Sequence, residues 1–163
     1  MNIFVLNKDT RLAAQSHVNK HVVKMILETA QMLCSVFEDA PYKKTHANHP
    51  CSIWARKSRE NYLWLISLGE ELHSEYQYRY GANKQHKSLA VILWCKSRVD
   101  QISFPESGLT DFAQAMPEEY RCVDPVRAYR TYYLNDKIDL LDWGVRGEPD
   151  WANKMLTGHC SMV

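Results

Sequence analysis

The chain has 163 residues, of which 45% are apolar and 24% charged, and its formal net charge is +1. That length suits one domain with a single core, and the balance excludes both a disordered chain and a broadly basic nucleic-acid coat. No apolar run approaches the ~18 residues a membrane helix needs, and "MNIFVLNKDT" turns polar too early for a signal peptide, so a cytoplasmic protein with no membrane partner is expected.

Residues 2–6 form a short apolar run ahead of "NKDT", read as an N-terminal strand or extended segment. Asp9 or Thr10 then caps a helix predicted over residues 11–36. "EDAPYKKTHANHP" is a loop by its prolines and polar residues. From Pro50 to Tyr80 only Gly69 interrupts, and apolar residues surround the helix more than they stripe it, predicting one long, largely buried central helix. Residues 85–99 read as a third helix with Leu89, Ile92, Leu93 and Val99 inward, and "SFPESGLTDFAQAMPEEYRCV" as mainly loop. "DPVRAYRTYYLNDKIDLLDW" opens the last helix with Asp124 at the N-cap and Pro125 at the first helical position. The tail after Trp151 is expected to be poorly ordered. The predicted fold class is mostly α: a compact single domain over 1–163, of about four helices, with long functional loops and an extended N-terminus.

Five cysteines (Cys34, Cys51, Cys95, Cys122 and Cys160) are irregularly spaced with no C-x-x-C pair, which points to reduced thiols and to neither a zinc ribbon nor a thioredoxin motif. The chemistry concentrates on the first helix, in "SHVNKHVVKMILETAQ". At 100° per residue His17, Lys20, His21, Lys24, Glu28 and Gln31 share an arc of roughly 100°, opposite Val18, Val22, Val23, Ile26, Leu27, Ala30 and Leu33. Such a stripe is either a solvated face or the floor of an active site. Solvated faces favour Glu, Lys and Gln, so two histidines tilt the reading toward chemistry. A carboxylate and an imidazole there can stabilise an oxocarbenium-like transition state and shuttle a proton. Lys24 supplies an amine nucleophile if its pKa is depressed. His17 and His21 have metal-chelating i, i+4 spacing, but H-E-x-x-H is absent and a lysine one turn away repels a cation. No metal and no cofactor are expected.

Three further clusters accompany that face. "THANHP" places His46, Asn48 and His49 ahead of a helix start, where backbone N–H groups hold anions. Arg56 and Arg59 follow as bidentate phosphate ligands, or as ordinary helix-surface arginines. Gln114 reads a base edge or satisfies backbone groups, and Arg127, Arg130 and Lys137 add phosphate contacts or a solvated face. Trp54, Tyr62 or Trp64 stack on a flipped base or belong to the core.

Several segments together resemble the phage-type pyrimidine-dimer DNA glycosylases with AP-lyase activity, also called endonuclease V. They are the step from His21 to Glu28 within "KHVVKMILE", the stretch from Pro50 to "YRYG", the "MPEEYR" loop, and "EPDW" from Glu148 to Trp151. The chain is also similar to small phage proteins that begin "MNIF" and contain "KHVVKM", so the cytoplasm expected is that of a host cell. The resemblance implies a helical enzyme in which an N-terminal amine attacks the sugar C1′ and forms a Schiff base as the glycosidic bond breaks. It assigns Glu28 the catalytic carboxylate, His21 its partner and the N-terminal amine, here that of Met1, the nucleophile; Lys24 stays the alternative amine on the residues alone. Asn2, His17, Lys20, His46, His49, Arg56, Arg59, Gln114 and Arg127 make up the expected substrate-binding set. The chain departs from the family where Asn2 follows Met1 and where Leu27 replaces the arginine before the glutamate. The expected partner is therefore DNA carrying a damaged or modified pyrimidine or, as an alternative, a small nucleotide, a nucleotide-derived signal or a hypermodified base. A non-catalytic binding or inhibitor protein, using the same face as a partner surface, is the third alternative.

Overall fold

A computed structural model describes residues 1–156; the tail from 157 onward lies outside the described residues. Its helices are α1 (Thr10–Ser16), α2 (Asn19–Cys34), α3 (Pro50–Ala55), α4 (Arg59–Tyr80), α5 (Ser88–Lys96), α6 (Pro125–Asp136) and α7 (Asp150–Leu156). The mostly helical class holds. The expected disorder after Trp151 does not hold for 152–156, which form most of α7.

The central helix is α4, packed against α1, α2 and α5. Its Gly69 lets α2 and α5 approach closely: a Cβ added there would stand 2.8 Å from Ile92 Cδ1 and 3.0 Å from Thr29 Cγ2. Thr29 adjoins Glu28, so this tight crossing also fixes the register of the helix that carries the carboxylate. Residues 2–6 are extended and threaded between helices, with Ile3, Phe4, Val5 and Leu6 all buried in the core. They pair with no strand among the described residues; Leu6 N–H donates to Phe4 O at 2.9 Å, and side chains meet other polar groups. Asn2 Oδ1 accepts from the Ile3 N–H at 2.8 Å, and Arg130 Nε donates to the Leu6 carbonyl at 2.9 Å.

The predicted helix over 11–36 is two helices, broken at His17 and Val18, both of which have extended backbone. Neither Gly nor Pro marks the joint. Distant side chains take up the backbone groups that the break leaves over. Arg79 Nη1 donates to His17 O at 2.7 Å and its Nη2 to Gln15 O at 3.0 Å, while Trp143 Nε1 donates to Ser16 O at 2.8 Å. On the other side the Tyr133 hydroxyl accepts from Val18 N–H at 2.9 Å, and Asp142 O from Asn19 N–H at 2.7 Å.

The predicted long helix from Pro50 to Tyr80 is likewise two, because Ser58 caps α4 by accepting from Asn61 N–H at 3.0 Å. The last helix starts where predicted, with the Asp124 carboxylate accepting from Val126 N–H at 3.0 Å, but it ends at Asp136 and gives way to short 3-10 turns. Leu93, expected inward, is 44% exposed, whereas Ile92 and Val99 are buried.

Candidate active site around the N-terminal amine

The polar arc of α2 is two surfaces. Taking Lys20 as zero, Leu27, Gln31 and Lys24 lie within roughly 40° of it, whereas Glu28 and His21 sit roughly 80° and 100° round. The first group faces outward and the second is buried, Glu28 at 7% and His21 at 5% exposure. Leu27, expected inward, is exposed. The cause is the N-terminal segment, which packs over the Glu28–His21 side and leaves Leu27 uncovered. The wet-face reading fits Lys20 and Lys24 and fails for Glu28 and His21.

A buried carboxylate needs a cation, and Glu28 has two. The α-amine of Met1 lies 3.1 Å from Oε1, and the exposed Lys24 Nζ lies 3.8 Å from Oε2. The amine is held there by Asn2, predicted as a substrate contact but in fact a buried anchor. Its Nδ2 donates to Ala115 O at 2.9 Å, and its Oδ1 also lies 3.1 Å from the Tyr129 hydroxyl and 3.4 Å from Cys51 Sγ. Three parts of the chain thus converge on one residue to place its neighbour's amine.

His49 caps α3, its Nδ1 accepting from Cys51 N–H at 3.1 Å, so its proton sits on Nε2. Burial lowers its pKa, the charges of the terminal amine and His46 lower it further, and Glu28 opposes them. His49 is therefore electrostatically part of the amine–carboxylate centre. Burial raises the Cys51 thiol to about 11, which keeps it protonated and unavailable as a nucleophile. Sequence reading passed over Cys51, and nothing in its spacing distinguishes it.

The Tyr133 hydroxyl lies 2.7 Å from His21 Nδ1, and Phe4 stacks on the imidazole with ring centroids 4.7 Å apart and planes 10° from parallel. Burial, and then the charges of His17, Lys137 and Lys24, lower its pKa to about 3. His17 does not join this group. It is fully buried in the joint between α1 and α2, its Nδ1 donating to Ala13 O at 2.7 Å, and burial lowers its pKa to about 4. Its Nε2 has no partner among the described residues. No group of three or more His, Cys, Asp or Glu with metal-binding placement occurs among the described residues.

Five histidines (His17, His21, His49, His73 and His86) are held neutral by burial. Each is free to protonate near 6.5 once unfolded, so the unfolded chain binds more protons in acid. Their stabilising contribution is complete above pH 6.5 and is lost as pH falls toward about 4 for His17 and about 3 for His21. Thermal melts in a pH series should show Tm dropping steadily from pH 6.5 to 4; a flat Tm across that window contradicts the neutral assignment.

Other predicted contacts are dispersed. Arg56 donates to Ala47 O at 2.5 Å and so braces the loop that carries His49, while exposed Arg59 pairs with Asp100 at 2.8 Å, outside the centre. His46 is exposed with φ of 51°, its ring on Thr45 Oγ1. Gln114 bridges both backbone groups of Cys122, donating at 2.6 Å and accepting at 3.0 Å, which is the backbone-satisfying alternative. Arg127 is half-buried on α6, the helix that also supplies Tyr129. Trp54, Tyr62 and Trp64 belong to the packing: Trp54 stacks on Phe112 at 5.0 Å, Tyr62 donates to Leu33 O at 2.7 Å, and Trp64 to Lys8 O at 2.9 Å.

Beside the outward stripe of α2 runs a groove of about 450 Å³ lined by Leu27, Gln31, Tyr42, Lys43, Lys44 and Lys87. Lys20 and Lys24 extend its basic character along the same helix. A net charge of +1 thus coexists with a local band of lysines next to the carboxylate. No protein family, no curated protein and no solved structure matches the chain.

Proposed function

We propose that this protein is a DNA glycosylase/lyase-type enzyme that cleaves the N-glycosidic bond of a damaged or modified pyrimidine. The observation that carries the reading is the 3.1 Å contact between the Met1 α-amine and the buried Glu28 carboxylate. An amine placed against a desolvated carboxylate has a proton acceptor at hand and a negative charge beside the carbon it attacks. The amine loses a proton to Glu28 and attacks C1′. The C1′–N1 bond breaks with its electron pair going to the pyrimidine N1, which takes the proton held by Glu28; the freed carboxylate then takes the second amine proton and passes it to O4′. Opening of the sugar ring at C1′–O4′ then gives the iminium. Glu28 stabilises the positive charge that develops on the sugar. The lysine band along the neighbouring groove supports phosphate contacts.

Borohydride reduction of the iminium on a lesion-bearing oligonucleotide should give a covalent adduct. Peptide mapping should place it on Met1 and not on Lys24, whose Nζ is farther from the carboxylate. Intact mass of the same preparation should identify Met1 as the terminal residue. A lesion panel that yields neither adduct nor free base sinks the proposal.

The second reading, a small nucleotide or hypermodified base as substrate, is favoured by the groove, whose 450 Å³ suits a single nucleotide. Salt separates the two. Duplex affinity should fall with a log–log slope of about −0.9 per phosphate contacted, whereas a pocket ligand responds weakly.

A further inference from the structure

The Tyr133 hydroxyl is wholly buried and carries one proton and two lone pairs. Val18 N–H, at 2.9 Å, occupies one lone pair. Among the described residues His21 Nδ1, at 2.7 Å, is the acceptor facing that hydroxyl. If Nδ1 carried the proton, the hydroxyl would have its own proton buried without an acceptor. Avoiding that favours the arrangement in which Tyr133 donates to Nδ1 by about tenfold or more. The ring plane is fixed as well, since Phe4 stacks on it, and Phe4 lies on the same short segment that brings the Met1 amine to Glu28.

We propose that Tyr133 is a positioning residue: it fixes His21 as the neutral tautomer with its proton on Nε2, so that His21 serves the substrate as a hydrogen-bond donor to a phosphodiester oxygen and not as a general base. The inference rests on the reading of Met1 and Glu28 as the reacting pair. His21 and Glu28 share one side of α2 two turns apart, roughly 10 Å along its axis, a separation too long for proton transfer between them and suited to a flanking phosphate. The charges of Lys24 and Lys137 act on the imidazole, so an anion reaching it meets both lysines and an N–H donor together. Burial and those same charges hold the ring neutral across the physiological range.

The test uses the full chain labelled with ¹⁵N and a long-range ¹H–¹⁵N correlation spectrum of its histidines. His21 should show a bare Nδ1 and a protonated Nε2 at neutral pH. Adding an oligonucleotide with a stable abasic-site analogue should shift its Nε2–H resonance. In Tyr133→Phe the Nδ1–H form should appear. Activity gives a second arm, because glutamine presents an N–H near the place of Nε2 and asparagine near the place of Nδ1. H21Q should stay within about tenfold of wild-type adduct formation, and H21N should lose about a hundredfold. A proton on Nδ1 in the wild type, an unmoved Nε2–H on DNA binding, or H21N outperforming H21Q overturns the inference. The spectra need no turnover, so an absent lyase activity and a wrong tautomer are distinguishable failures.

Discussion

Glu28→Gln should reduce base release by about a thousandfold and leave the helical fold in place. Glutamine keeps the side chain's size and can still meet the Met1 amine, but it neither accepts a proton nor supplies a negative charge. Losing a positioned proton acceptor costs about 10²–10⁴ in rate, and losing a preorganised electrostatic stabiliser about 10²–10³. In the proposed mechanism one carboxylate fills both roles, so the losses overlap and do not multiply. Single-turnover kinetics beside circular dichroism would check this. Lys24→Met should cost no more than about tenfold, because its Nζ is exposed and 3.8 Å from the carboxylate. Glu28→Gln within tenfold of wild type would remove the carboxylate from the mechanism.

The second large effect is on stability. Glu75 is 4% exposed and takes Arg79 Nε at 3.1 Å and Arg146 at 2.8 and 3.0 Å. Arg79 is the guanidinium that holds the carbonyls at the α1–α2 joint, and Arg146 lies 4.1 Å over the Tyr78 ring. Glu75→Ala leaves the buried Arg79 charge uncompensated, a change that costs about 3–5 kcal/mol. At about 2–4 °C per kcal/mol for a chain of this size, Tm should fall by about 10 °C. Glu75→Gln should fall less, because an amide oxygen can still accept one of the guanidinium bonds. Denaturant titration would measure both, and a loss below about 1 kcal/mol for the alanine variant would mean that Arg79 finds other partners.

Local signals gave the sequence reading its best results. Asp124 followed by Pro125 named the start of α6 because cap and ring act within one turn. The inward placement of Ile92 and Val99 followed from periodicity. The joint at His17–Val18 was illegible because what breaks the helix lies far along the chain, in Arg79, Tyr133 and Trp143. Ser58 was a readable start signal within the polar stretch from Arg56 to Asn61, outweighed by the absence of any proline or glycine between Cys51 and Leu68. On the candidate site, His21 and Glu28 were named for a reason that proved incomplete. The arc that grouped them with Lys20 and Lys24 is halved by a neighbour, residues 2–6, that no helical wheel contains. Asn2 was named through its position beside the terminus, but its anchoring role depends on Ala115 and Tyr129, more than a hundred residues away. Cys51 and Tyr133 carry no local pattern at all.

That separation has a bearing on how the protein is made. Residues 2–6 are synthesised well before the residues that hold them: Asn2 binds Ala115 and Tyr129, and Leu6 binds Arg130. At roughly 5–20 residues per second, the apolar stretch from Ile3 to Leu6 waits on the order of ten seconds for α6 to be synthesised. Throughout that interval the amine has no fixed carboxylate beside it. The amine and Glu28 are brought together only once Ala115 and α6 are there to hold Asn2.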